Sequence, residues 1–352
     1  MNFVYINAGD LINERKFMVS LGRLVFKATG VMSNRGVMKN SRKIGTAIAE
    51  KMKQTGGKIE SQEIEQIISD TIGKKAARKI KIVDSKTAIR EEMVNAGEKI
   101  KDIDKMFECA AGATHPDHYS RKASVFVNEE YLTKAFAAFP GMTSAVKANT
   151  LGHEIQHAIS NTSGRMGLYK LKGHFSFGRK MIDKKMNKAK ALDLQTKYVE
   201  LQDICLKSLL SGKQVSEADI VKTLYSKGIL QVGKDKENAF ILKNLRDVYK
   251  DECRSYKVGY EAFETFNGTK NPKQVNEIIN LYENFVKATN KELRHARLNR
   301  VKRFFGLKPN TAREQAIIKQ QQVPEVEKLD FAKVTKADSN SKVKAKLFEN
   351  NK

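Results

Sequence analysis

The chain has 352 residues, a formal net charge of +25, about 40% hydrophobic residues and no Trp. That apolar content supports a packed core in one large domain or two smaller ones. Cys109, Cys205 and Cys253 are odd in number and widely spaced, which suits a reducing compartment better than a disulfide framework.

Read in chain order, residues 11–29 place Leu11, Ile12, Phe17, Leu21, Leu24 and Phe26 on one helical face. The stretch 30–36 breaks that pattern, and a second helix is predicted near 43–53. Thr55-Gly56-Gly57 is a turn. Ser61 is a candidate N-cap for a helix to about Arg78, favoured by Glu63 and Glu65 in its first turns. The third residue after Ser61 is Ile64, so no full capping box is expected. Residues 79–83 alternate polar and apolar side chains and read as a strand; a helix over 86–97 follows. Residues 110–119, with His115 and His118, read as a loop. Residues 123–128 read as the next strand and 129–139 as a helix.

The stretch His153-Glu154-Ile155-Gln156-His157 spells H-E-x-x-H inside a helical pattern. Thr143 or Ser144 can cap this helix after Pro140-Gly141, and Asn161 with Gly164 can end it. Leu151, Ile155, Ala158 and Ile159 form its apolar stripe, with Val146, Asn149, His153 and His157 along an adjacent one. At about 100° per residue the two imidazoles project from one face, one turn apart. Nitrogens so placed can share one Zn²⁺. Glu154, beside the first of them, is positioned to take a proton from a metal-bound water.

After Gly164 a basic, Gly-punctuated region covers 169–190. Helical patterns follow over 190–211 and 215–227, with a turn or short strand from Gly228 to about Lys236. A long apolar stripe then runs through Leu245, Val248, Tyr249, Tyr256, Tyr260 and Phe263, and Glu252 falls in its middle. A carboxylate there is costly to bury without a cation. A catalytic zinc wants three protein ligands, so Glu252 is the candidate third. Glu261 lies nine residues on, about 180° around the helix, and is the rival. Asp251 is about 100° off and weaker. This helix should end at Asn267-Gly268. Asn271-Pro272 opens another, running to about Phe305. Its end interleaves Lys291, Arg294, Arg297, Arg300, Lys302 and Arg303 with Leu293, Leu298, Val301, Phe304 and Phe305. Such a basic amphipathic helix suits an anionic membrane or a nucleic acid. From Lys308 onward the composition suggests a mobile tail.

His153, Glu154 and His157 resemble the active-site helix of the zincin metallopeptidases. The metzincin branch continues with Gly and His where this chain has Ser160 and Ser163, so that branch does not fit. The remaining resemblance is to the gluzincins, whose third ligand is a distant acidic residue. Glu252-Cys253-Arg254 is similar to the Glu-Ala-Arg type of sequence around that ligand. It implies Zn²⁺ held by His153, His157 and Glu252, and Glu154 as general base in the hydrolysis of a peptide or protein substrate. Several gluzincins carry an Asp four residues after the third ligand to orient a histidine; here that position is Tyr256. Orientation must come from elsewhere, with Asn149 or a backbone carbonyl as candidates. Tyr256 is a candidate oxyanion donor, with Tyr260 and His174 behind it. In the zincin fold a strand precedes the metal helix at the sheet edge, and here that edge would fall near 125–128.

The expected fold class is therefore α+β and zincin-like. Residues 1–60 would be a helical segment, 61–165 the subdomain with the small sheet and the H-E-x-x-H helix, 166–307 a mainly helical subdomain with the third ligand, and 308–352 a basic tail. The charge implies attraction to an acidic surface, nucleic acid or anionic membrane. Alternative functions are a basic surface-binding protein, or a zinc-binding scaffold without turnover. The N-terminus has no signal-peptide pattern and no run nears the roughly 18 apolar residues of a membrane span. A cytoplasmic location is the default, with signal-less export open.

Overall fold

The computed structural model describes residues 34–95, 100–117, 122–137, 140–163, 201, 214–268 and 273–310. The expected helix over 11–29, nearly all of 190–211, and the tail past 310 lie outside the described residues, as do His118, His174 and Cys205. Among the described residues the architecture is α+β, mainly helical with one three-stranded mixed sheet. None of these helices is long and apolar enough to cross a membrane.

Helix α1 (Asn34–Gln54) ends in the Thr55–Gly57 turn, where Gly56 and Gly57 have φ of 67° and 94°. Helix α2 (Ser61–Ile72) is capped one residue earlier than its sequence suggested. The N-cap is Glu60, and Glu63 accepts from the Glu60 N–H at 3.2 Å, so a capping box forms around Glu60 rather than Ser61. Nor does the helix run unbroken to Arg78. Gly73, at φ 83° and ψ 148°, separates it from the short α3 (Lys74–Ala77) in a conformation that needs glycine.

Strand β1 (Ile80–Val83) leads into α4 (Lys86–Asn95) and α5 (Ile100–Cys109). The segment expected to be a loop is instead β2 (Gly112–Asp117), antiparallel to β3 (Lys122–Val127). β1 runs parallel to β3 on its other side, giving the order β1-β3-β2. β3 is thus the central strand, not the edge. The edge beside the functional helix is β2, and Pro116 is tolerated there because an edge strand can spare a ladder donor.

Asn128 caps α6 (Glu129–Ala135), accepting from the Tyr131 N–H, and α7 (Pro140–Thr162) follows. α7 starts at Pro140 rather than after a Thr143 or Ser144 cap. Proline suits a first helical turn because its missing N–H would have no partner there. The second half holds α8 (Glu217–Ser226), α9 (Asp235–Asn267) and α10 (Lys273–Phe304). Gly268, at φ 74°, terminates α9 where Asn267-Gly268 was expected to.

The two largest cores both include residues of α9. The first gathers Ile44, Ile48 and Met52 of α1, Ile64 and Ile68 of α2, Ile80 and Val125 of the sheet, Leu151, Ile155 and Ile159 of α7, and Ala262 of α9. The second joins Leu224 of α8, Leu242, Leu245, Tyr249 and Cys253 of α9, and Tyr282 and Phe285 of α10. Cys253 is a buried free thiol that serves this packing. Glu252 sits on the stretch of α9 that serves the second core, between Tyr249 and Tyr256, two to three turns before Ala262 joins the first.

The α7–α9 crossing is close because both helices carry glycine at it. A Cβ on Gly152 would stand 3.2 Å from the Gly259 Cα, and one on Gly259 would meet the Asn149 backbone oxygen at 2.8 Å. Gly45 of α1 packs into the same crossing, against Val258 and Ala262. Gly259→Val is expected to lower stability by about 2 kcal/mol or more, because the backbone it meets must move. Thermal or denaturant unfolding measures this.

Candidate metal centre

α7 turns Leu151, Ile155, Ala158 and Ile159 into the first core, which leaves its His153–His157–Ser160 face toward α9. The glycine crossing brings α9 near enough for Glu252, two turns before Gly259, to reach both imidazoles. His153 Nε2 and His157 Nε2 are 3.1 Å apart. Glu252 Oε2 lies 3.7 Å from His153 Nε2, and Oε1 lies 3.5 Å from His157 Nε2. Ligands at about 2.0–2.1 Å from one ion, at tetrahedral angles, stand about 3.3 Å apart. The three side chains are spaced as ligands of a shared ion would be and can hold a metal.

The orientation of His157 supports this arrangement. Its Nδ1 lies 2.8 Å from Asp251 Oδ2, so in the neutral ring Nδ1 carries the proton and Nε2 keeps its lone pair. Asp251 in turn accepts from Ser160 Oγ at 2.5 Å, and Ser160 accepts from Gln156 Nε2 at 2.9 Å. Gln156 is fully buried, which anchors the chain of bonds. The orienting role offered to Asn149 for want of an Asp at position 256 falls to Asp251, next to the third ligand instead of four residues beyond it. Asp251→Asn is expected to weaken metal binding about 10–100-fold without unfolding the protein. Competition against a chromophoric chelator reads that loss.

Burial works against a charged His157, but Glu252 and Asp251 outweigh it and hold its pKa well above the usual imidazole value. Burial likewise pushes the Glu252 carboxyl up, and the two imidazoles pull it lower overall. In the metal-free protein, protonated His157 therefore stabilises the fold. That contribution is complete below the ordinary value of 6.5 and is lost as pH rises through the raised folded value. A metal must displace the same proton, so affinity is expected to climb as pH rises toward that folded value. A pH series of metal titrations checks the direction.

Glu154 reaches strand β2 of the sheet and is near enough for its charge to act on Tyr256 of α9. Thr114 Oγ1 on β2 lies 2.8 Å from both Glu154 Oε2 and the Glu154 backbone oxygen, so one hydroxyl proton serves the carboxylate and the helix. Gly112 makes that approach possible, since a Cβ there would come within 2.5 Å of Thr150 Cγ2 and 3.2 Å of Glu154 Cγ. Sequence reading missed Thr114, because nothing in Gly-Ala-Thr-His-Pro-Asp announces a strand.

Tyr256 packs its ring edge-on to His153 at 4.7 Å between centroids and stacks on Tyr282 at 5.1 Å. Burial first, and then the Glu252 charge, raise its pKa, so the hydroxyl stays protonated; it shares a hydrogen bond with Tyr282. Tyr260 stacks behind it at 6.1 Å. The rival ligand Glu261 is elsewhere, paired with Arg42 of α1 at 2.7 Å. His115 of the former loop is buried on β2 and is not among the clustered ligands.

Compared with protein-family models, curated proteins and solved structures, the chain matches none.

Proposed function

We propose that the protein is a zinc-dependent peptidase of the gluzincin-like zincin type. The observation that carries this reading is the convergence of His153, His157 and Glu252, from helices far apart in sequence, at ligand spacing around one point. Zinc suits two imidazoles and a carboxylate, and when bound it supplies a Lewis acid and acidifies coordinated water. Glu154, held by Thr114, takes the proton of the attacking water and passes it to the leaving amine. Tyr256 keeps its proton and donates it in a hydrogen bond to the oxyanion, while accepting from Tyr282. β2 is the edge strand beside Glu154, so an extended peptide can pair with it and lie across the site.

The test is cleavage of a diverse peptide library by the zinc-loaded full chain, read as new termini by mass spectrometry. Chelator-sensitive cleavage is the expected result. A protein that holds zinc and cleaves nothing would overturn the peptidase reading in favour of a scaffold without turnover. Tyr256→Phe is expected to lower turnover about 10²-fold with little change in metal affinity, which the same assay measures on a single cleaved peptide.

A further inference from the structure

We propose that the C-terminal end of α10 docks on an anionic lipid surface, independently of the metal centre. The end of this helix has two opposite faces. One is fastened to the protein. Arg303 Nε pairs with the buried Asp235 Oδ2 at 2.7 Å, at the start of α9. Buried Asn299 accepts from the Asn310 N–H at 3.0 Å, so the chain folds back along the same side. The other face carries Leu298, Val301 and Phe305, which at about 100° per residue fall within about 60° of one another and opposite Asn299 and Arg303.

That second face is open to water. Leu298 is 54% exposed, Val301 50% and Phe305 69%, and outside the stripe Phe304 is 83% and Leu307, just past the helix, 59% exposed. The helix end that presents them is well formed. Gly306, at φ 70°, closes it, and the Leu307 N–H bonds the Lys302 carbonyl at 2.8 Å.

Exposed Arg297 borders the apolar stripe about 40° from Val301, and exposed Arg294 and Lys291 lie one and two turns back along it. From Leu293 to Asn310 there is no acidic residue, and Glu292 just before is buried. Cations alone would suit the phosphates of a nucleic acid, and the phenyl rings could stack on unpaired bases. Neither use explains exposed Leu298 and Val301. A bilayer interface takes both parts at once, the aliphatic and aromatic stripe among the acyl chains and the cations at the anionic headgroups.

The chain lacks Trp, so Phe304→Trp in the full-length protein is a reporter at one known place. Vesicles of phosphatidylcholine with phosphatidylserine are expected to shift its emission to the blue and to sediment the protein, and phosphatidylcholine alone to do neither. Adding Val301→Ser and Phe305→Ser, both at exposed positions and with every charge kept, should reduce sedimentation at least about tenfold. An unchanged thermal unfolding midpoint in that variant would certify its fold. Undiminished binding by it would overturn the proposal, because the net charge alone would then account for the attraction. A blue shift in buffer without vesicles would also overturn it, since the stripe would be covered by protein. So would a shift with DNA and none with vesicles, which would assign the face to nucleic acid.

Discussion

Replacing Glu154 by Gln is expected to leave bound zinc unchanged and to cut peptide cleavage about 10²–10⁴-fold. The two effects separate because Glu154 is not among the clustered ligands. Its carboxylate sits on the β2 side of α7, where Thr114 fixes it at 2.8 Å. Gln keeps the shape and can still accept that hydrogen bond through its amide oxygen, so the fold and the metal ligands should not move. It cannot take a proton from water. Parallel measurement of zinc content and of turnover on one peptide checks both halves. Thr114→Val should show a weaker version of the same pattern, with loss of turnover and retention of metal, because it frees the carboxylate without removing it.

Glu252→Ala is expected to have the second large effect, loss of tight zinc binding with most of the fold intact. Two imidazoles would remain, one short of the three protein ligands of a catalytic zinc. The carboxylate is about four-fifths buried, with side-chain exposure of 21%, beside two rings that lower its pKa. Removing it also takes away the charge that favours protonated His157, so the metal-free variant should bind its last proton less tightly. Glu261→Ala is the matched control. That residue pairs with Arg42, and its loss should leave zinc binding untouched. Isothermal titration with Zn²⁺, across the two variants and the parent, reads the difference.

Much of this centre is legible in the order of residues, and the reason is local. His153 and His157 share a helix face whatever the helix packs on, and an isolated carboxylate in the apolar stripe of α9 marks Glu252 before any contact is known. What stays hidden depends on how distant segments meet. Asp251 looks like a poor ligand because it lies about 100° from Glu252, yet that offset is what lets it reach the far nitrogen of His157. Ser160 and Gln156 become its supports only once α9 lies across α7. Gly152 and Gly259 look like weak points in helices, and the crossing turns them into the reason the ligands converge. β2 escaped notice because Pro116 and its short polar side chains lack strand periodicity. Misplacing it put the sheet edge at β3, one strand away from the side chain that holds Glu154.

His153, His157 and Glu252 are expected to bind one metal ion together. Native mass spectrometry of the full-length protein, purified without chelator and then challenged with Zn²⁺, tests this most directly. The predicted result is about one zinc per chain, lost on His157→Ala and on Glu252→Ala but kept on Glu154→Gln. A wild-type chain that takes up no zinc, or that keeps it after both ligand substitutions, would rule out a zinc centre shared by these three residues.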